Sequence, residues 1–238
     1  MKPLYLECNE PNGGLGNRAT VICAGYATAK MLGREPKLYW TAIGHGCRAE
    51  YSDLFKPMDK IERVESIPEG EDTFFAWCYA PGSRVFHEKW LGDRVGSEEY
   101  WDLFREGARQ LELVDELSLP EKGEFNALHV RGNYSPRAAD PSVYGQFKPH
   151  GLFMAVDNKD VYDELMVGAT DCWSLKPPTT KFDLTNRDKA GMQDAARDMM
   201  MLTRASCLLT LGVDSTFRNL ATLGYRVPTF SFYKGESP

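Results

Sequence analysis

Short apolar runs alternate along the chain with stretches whose apolar residues recur every three or four positions. Residues 3–8 (Pro-Leu-Tyr-Leu-Glu-Cys) are such a run and predict a strand. A loop rich in Asn, Pro and Gly follows over 9–16. From Asn17 the spacing becomes helical: Ala19, Ile22, Cys23, Tyr26, Ala27, Lys30 and Met31 fall on one stripe, and Gly33 closes the helix as a C-terminal cap. Residues 36–40 (Pro-Lys-Leu-Tyr-Trp) predict a second strand. Strand, loop, helix and strand in this order form the unit of a parallel α/β sheet.

The middle is less regular. A short helix is expected over 51–56 and a strand over 73–79. A longer helix is expected over 97–117, where Tyr100, Leu103, Phe104, Ala108, Leu111 and Val114 form the apolar stripe. The polar, turn-like Pro-Glu-Lys-Gly-Glu at 120–124 marks a boundary, dividing the chain into domains 1–120 and 121–238. The second half repeats the same grammar: strands at 125–131, 151–156, 206–211 and 227–232, and helices at 160–167, 189–204 and 215–223. Residues 168–187 hold a further strand or loop, broken by Pro177 and Pro178. The long segment 132–150, rich in Pro, Gly and Tyr, is of a kind that is often functional.

Bulk properties narrow the function. The 238 residues suffice for one large or two small domains, and 42% hydrophobic with 26% charged residues is ordinary for a soluble globular protein. A net charge of −6 argues against a nucleic-acid partner. The short apolar run at the N-terminus does not make a signal peptide, and no stretch approaches the roughly 18 apolar residues of a membrane span. The expectation is a soluble, cytoplasmic protein. The six cysteines include no C-x-x-C pair and the four histidines show no ligand spacing, so reduced thiols and no metal site are expected.

Three segments carry candidate chemistry. First, the apolar run 207–211 leads through Gly212-Val213-Asp214 into Ser215-Thr216-Phe217-Arg218, a strand followed by a turn and a helix start. Free N–H groups there favour an anion, so Ser215, Thr216 and Phe217 are candidates for holding phosphate. Ser215 is equally explained as a helix cap. Second, in Leu128-His129-Val130-Arg131-Gly132-Asn133, Arg131 ends a strand, where a planar guanidinium can grip a diphosphate and neutralise a departing nucleotide. His129 shares its face. A sheet-edge ion pair for Arg131 and a satisfied core position for His129 are the plainer alternatives. Third, Gly14, Gly16 and Ala19 match the short dinucleotide pattern G-x-G-x-x-A, yet no acid for a ribose stands near the end of the second strand, and no Gly-Lys-Ser/Thr follows. The glycines therefore make a tight turn that brings backbone close to something other than a nicotinamide cofactor.

Taken in order, these segments resemble a known family. Gly14-Leu15-Gly16-Asn17-Arg18 with the following helix and Leu38-Tyr39-Trp40 resembles the amino-terminal motif of fucosyltransferases. His129-Val130-Arg131-Gly132-Asn133 is similar to their H-x-R motif, and Ala155-Val156-Asp157-Asn158 to their strand ending in an acid. The segment from Asp194 through Asp198 to Ser215-Thr216-Phe217 is similar to their terminal nucleotide-binding region. The relatives are the protein O-fucosyltransferases, the α-1,6-fucosyltransferases and the nodulation fucosyltransferases. The resemblance covers roughly 4–40 and 125–232, and residues 41–120 match nothing comparable.

What the resemblance implies is an α/β fold of GT-B type, two Rossmann-like domains facing a cleft. At 238 residues the version is a compact one, with its acceptor domain trimmed or the acceptor site on a partner. It implies an inverting, metal-independent glycosyltransferase without a cofactor, whose donor is a nucleotide-sugar such as GDP-fucose and whose acceptor is a glycan or glycoside. Arg131 would bind the β-phosphate. The backbone near His129 and the carboxylate of Asp198 would read the base, Asn133 would belong to the same nucleotide-sugar site, and Ser215, Thr216 and Phe217 would hold phosphates. Gly14, Gly16 and Asn17 would face the sugar, and Asp157 would support the site. Glu10 is the candidate catalytic base, with Glu7 and Asp53 behind it. Other donors, such as a UDP-linked sugar or a rhamnose, stay open, as does a non-catalytic nucleotide-sugar-binding module. A nucleic-acid base as acceptor would need a basic cleft from Arg18, Lys37, Arg48, Arg84 and Lys89.

Overall fold

The computed structural model describes residues 1–9, 14–42, 47–75, 90–130, 151–156, 159–167, 171–177, 188–211 and 215–232. Its first sheet holds β1 (Pro3–Cys8), β2 (Glu35–Trp40), β3 (Glu62–Val64) and β4 (Thr73–Phe75), all parallel, in the order β3-β2-β1-β4. The second holds β5 (Asn126–Val130), β6 (Leu152–Val156), β7 (Cys172–Trp173), β8 (Cys207–Leu211) and β9 (Thr229–Phe232), again parallel, in the order β7-β6-β5-β8-β9. Both sheets start in the middle, run outward, then cross back to the other side of the first strand. This is the doubly wound order, and its reversal lies between β1 and β4 in one sheet and between β5 and β8 in the other.

The α-helices among the described residues are α1 (Leu15–Met31), α2 (Glu98–Ala108), α3 (Lys159–Met166) and α4 (Lys189–Leu202). The second sheet is covered on both faces, which explains its near-continuous apolar strands: every residue of β5 and β6 is buried. Leu128, Val130, Met154 and Leu209 pack toward Leu165 of α3. Phe125, Ala127, Phe153 and Leu208 pack toward Met201 and Leu202 of α4.

Helix α1 is unusual. All of its 17 residues except Asn17 and Lys30 are buried, so the single apolar stripe expected from spacing becomes burial all round. It lies on β1, is crossed by α2, and meets α4 and the 216–224 segment on its remaining side. Its small residues Ala19, Ala24, Ala27 and Ala29 let these neighbours approach. Gly33 follows the helix with a positive φ of 63°, the left-handed geometry that its capping role requires.

Strands β1–β4 precede residue 120 and β5–β9 follow it, but the cores do not divide there. The cluster built on Leu4, Leu6, Ile22, Tyr26, Leu38 and Phe104 also contains Met192, Ala196 and Met199 of α4 and Leu220.

Several boundaries differ from expectation. The helix expected over 97–117 stops at Ala108, because the backbone beyond it pairs elsewhere: Lys56 N–H donates to Glu112 O and Val114 N–H to Leu54 O, and Phe55 bridges Leu113. A separate 3-10 turn covers Asp115–Leu117. The helix expected over 51–56 is a 3-10 turn, Tyr51–Asp53, closed by reciprocal Glu50 and Asp53 capping bonds. The edge strand β3 (Glu-Arg-Val) is short and polar, without the apolar run that predicts a strand. The helix expected over 215–223 is a 3-10 turn, Thr216–Arg218, running into a π-helical turn, Leu220–Gly224.

Candidate functional site

The carboxyl ends of β5 and β8 flank the reversal of the second sheet, where open α/β sheets bind their ligands. His129 stands one residue before the end of β5, on the face covered by α4. Its Nδ1 lies 3.3 Å from Ala155 O; a carbonyl only accepts, so Nδ1 carries the proton. Its ring stacks on Phe217, with centroids 5.2 Å apart and 25° between planes.

Phe217 is held by a turn that the sequence prepares locally. Ser215 is buried, has extended backbone, and its Oγ accepts from Phe217 N–H at 3.4 Å. The capping role of Ser215 is thus realised, and the Phe217 N–H is turned on it. The Thr216 hydroxyl donates to Asn17 Oδ1 at 2.6 Å. Asn17 and Thr216, both expected to face the donor, therefore bond to each other across the two halves.

Gly16 explains how α1 comes so close. A Cβ on it would lie 2.4 Å from Phe217 N and 2.5 Å from Phe217 Cα, inside any real contact. The glycine turn does bring backbone close to something, namely the Thr216–Phe217 backbone. Gly14 is the N-cap of α1 and offers no side-chain cap, and the first turn of α1 carries no acid. The positive end of this buried helix thus abuts the turn at the carboxyl end of β8.

Asp198 lies on α4, the helix that covers the face bearing His129. It is half-buried, and burial pushes its carboxyl up to about 8, with the Asp194 carboxylate adding to the effect and Arg197 opposing it. Asp194 itself pairs with Lys176.

The structure therefore brings Gly16, Asn17, His129, Ser215, Thr216 and Phe217 together and places Asp198 on the covering helix. Arg131, Asn133, Asp157 and Glu10 lie outside the described residues, as do Arg84 and Lys89. Of the reserve bases, Glu7 stands on β1, while Asp53 is occupied: Lys189 Nζ donates to it at 2.6 Å, its other oxygen accepts from Glu50 N–H, and its carbonyl accepts from Gln193 Nε2. The Lys189 bond holds its carboxyl below the usual range. Asp53 is thus a capping residue and a tether to α4 rather than a base.

The basic cleft also loses members. Arg18 is buried, stacks its guanidinium 4.5 Å from the Trp40 ring and donates to Thr41 O at 2.8 Å, while Lys37 pairs with Glu62. Among the described residues no group of three His, Cys, Asp or Glu side chains could hold a metal ion. Cys8, Cys23 and Cys207 are free thiols, and burial pushes Cys8 up to about 12. No described helix is long and apolar enough to cross a membrane.

One group at the site has no motif to announce it. Arg218 Nη1 donates to Thr210 Oγ1 at 2.7 Å and to Ser231 Oγ at 2.9 Å. The available signal is that two hydroxyls, Thr210 and Ser231, occupy the same register near the carboxyl ends of strands β8 and β9.

No protein-family model matches the chain, and no curated protein matches it in sequence. Solved structures do match in shape. The fucosyltransferase NodZ from Bradyrhizobium aligns with a TM-score of 0.64 at 15% identity, covering 93% of this chain and 93% of that one. A NodZ α-1,6-fucosyltransferase crystal soaked with GDP-fucose gives 0.62 at 15% identity, covering 93% and 92%. A variant of Arabidopsis thaliana FUT1 in complex with GDP gives 0.55 at 12% identity, covering 100% of this chain and 71% of that one. The fold is α/β and GT-B-like, with two parallel sheets. It is the fold of these fucosyltransferase structures.

Proposed function

We propose that this protein is a glycosyltransferase that transfers a sugar from a GDP-linked donor, a 6-deoxyhexose such as fucose, to a glycan or glycoside, with inversion and without a metal. The observation that carries the reading is convergence. Three stretches singled out in the sequence, Gly16–Asn17, His129 and Ser215–Phe217, meet at the reversal point of a doubly wound sheet. Among the structures of this fold, one NodZ crystal was soaked with GDP-fucose, another was co-crystallised with GDP, and the FUT1 variant is in complex with GDP.

In this reading residues 121–238 form the donor domain and 1–120 the acceptor side. The amino end of α1 and the Ser215–Phe217 turn supply positive potential for a diphosphate. Arg131 neutralises the charge that develops on the departing nucleoside diphosphate. The Asp198 carboxylate accepts the N–H donors on the edge of guanine, which uracil cannot present in the same pattern. Glu10 takes the proton of the acceptor hydroxyl as the anomeric carbon passes through an oxocarbenium-like state.

The test is a thermal-shift series with GDP, UDP and their sugars, followed by donor hydrolysis and transfer assays. GDP is expected to raise the melting temperature at saturation and UDP to raise it less. Absence of any shift with either nucleotide overturns the reading. Arg131→Ala is expected to abolish transfer in a folded protein, and near-normal turnover in that variant removes the leaving-group role.

A further inference from the structure

On the α4 side of the second sheet Phe125, Ala127, Phe153, Ala155 and Leu208 form an apolar core. Two hydroxyls interrupt this face near the carboxyl ends, Thr210 on β8, which is 3% exposed, and its register partner Ser231 on β9. They lie 2.9 Å apart, and Arg218 Nη1 donates to both. His129 on β5 is the register partner of Thr210 on the other side. One guanidinium nitrogen is thus fastened to two strands in the row that holds the His129 ring, while the preceding residue lays the Phe217 ring on that histidine.

A 3-10 turn of three residues has poor internal hydrogen bonding, so its position depends on what it is tied to. Here the ties leave in three directions: Thr216 to Asn17 of the first half, Phe217 to His129, and Arg218 to the hydroxyl pair. A leucine at 218 would fill space. A charged donor makes stronger hydrogen bonds and fixes both the turn and the two strand ends.

We propose that Arg218 is a positioning residue of the donor site: by holding the Thr216–Arg218 turn on Thr210 and Ser231, it sets the Phe217–His129 stack against which a nucleoside diphosphate binds. The inference rests on the nucleotide-sugar reading above. It assigns Arg218 no contact with the donor.

Titration calorimetry with GDP on the full chain tests it, using the wild type, Arg218→Met, Phe217→Leu and the double variant. Each single change is expected to weaken GDP binding about tenfold, the scale of a lost charged hydrogen bond. The double variant is expected to bind no more weakly than the poorer single one, because both act through the same ring stack. Arg218→Lys, which keeps a donor, is expected to restore most of the affinity. In turnover the donor KM rises while kcat at saturation stays the same. Additive losses, or GDP binding by Arg218→Met equal to the wild type, overturn the proposal. Should Arg218→Met not fold, Thr210→Val combined with Ser231→Ala removes the acceptors instead; unchanged GDP affinity there overturns it equally. A wild type that binds no GDP sinks the nucleotide reading itself, and this is read before any variant is compared.

Discussion

Thr216 Oγ1 donates to Asn17 Oδ1 at 2.6 Å, joining residues that stand 199 positions apart. The bond ties the first turn of the most buried helix to the turn at the carboxyl end of β8. A double-mutant cycle with Thr216→Val and Asn17→Ala, followed by urea unfolding, is expected to give a coupling of about 1 kcal/mol. A coupling near zero would show that the two side chains meet without holding the halves together.

Beneath that bond, Gly16 permits the approach. Its substitution by alanine drives a Cβ into backbone atoms of Phe217, which cannot swing aside as a side chain would. Gly16→Ala is expected to cost about 1–3 kcal/mol, the range for overpacking a well-packed site, although alanine favours helix intrinsically. A variant as stable as the wild type would mean that α1 and the turn separate at little cost.

Much of this is legible in the sequence. Strands β5, β6 and β8 announce themselves because burial on both faces leaves no room for polar alternation, and the Gly33 cap marks the end of α1. What local pattern could not supply is what each element packs against. The helical stripe runs on through Leu111 to Val114, yet the backbone groups of residues 112–114 pair with residues 54–56, a tertiary choice invisible in spacing. Asn17 and Thr216 were each readable as polar groups near a donor, but nothing in either segment shows that they bond to each other. The glycine pattern signalled a close approach without naming Phe217. Arg218 was missed because its partners, Thr210 and Ser231, become neighbours only once β8 and β9 are aligned in register.

Since Met192, Ala196, Met199 and Leu220 share a core with Leu4, Ile22 and Phe104, the halves are expected to unfold together. Calorimetry should show one transition, with calorimetric and van't Hoff enthalpies in agreement. Two resolved transitions would show that the shared core does not couple the sheets.

The Asp53–Lys189 tether carries a pH signature. Lys189 lowers the Asp53 carboxyl below its ordinary value, so its contribution is complete above the unfolded pKa of about 3.9 and is lost as pH falls through the folded one. Asp53→Asn is therefore expected to lower stability at neutral pH by a small amount, both partners being partly exposed, and to match the wild type at strongly acidic pH. A stability gap that persists unchanged into acid would assign the effect to the Glu50 capping bond instead.

Asp198 shows the opposite sign, and here stability and binding pull apart. Burial raises its carboxyl to about 8, so between the unfolded value near 3.9 and about 8 the folded protein holds a proton that the unfolded chain releases. Stability without ligand must then fall as pH rises through that window and level off above it. Asp198→Asn removes the titration and is expected to gain stability over the wild type at about pH 8–9, with the gain vanishing below about pH 4. If the carboxylate receives the N–H groups of guanine, GDP binding must expel the same proton. Wild-type affinity for GDP should rise with pH up to about 8 and flatten beyond, while Asp198→Asn binds more weakly with no such rise. Calorimetry in buffers of different ionisation enthalpy reads the released proton directly. Equal pH profiles for the two proteins would separate Asp198 from the base, leaving its raised carboxyl a feature of the α4 packing alone.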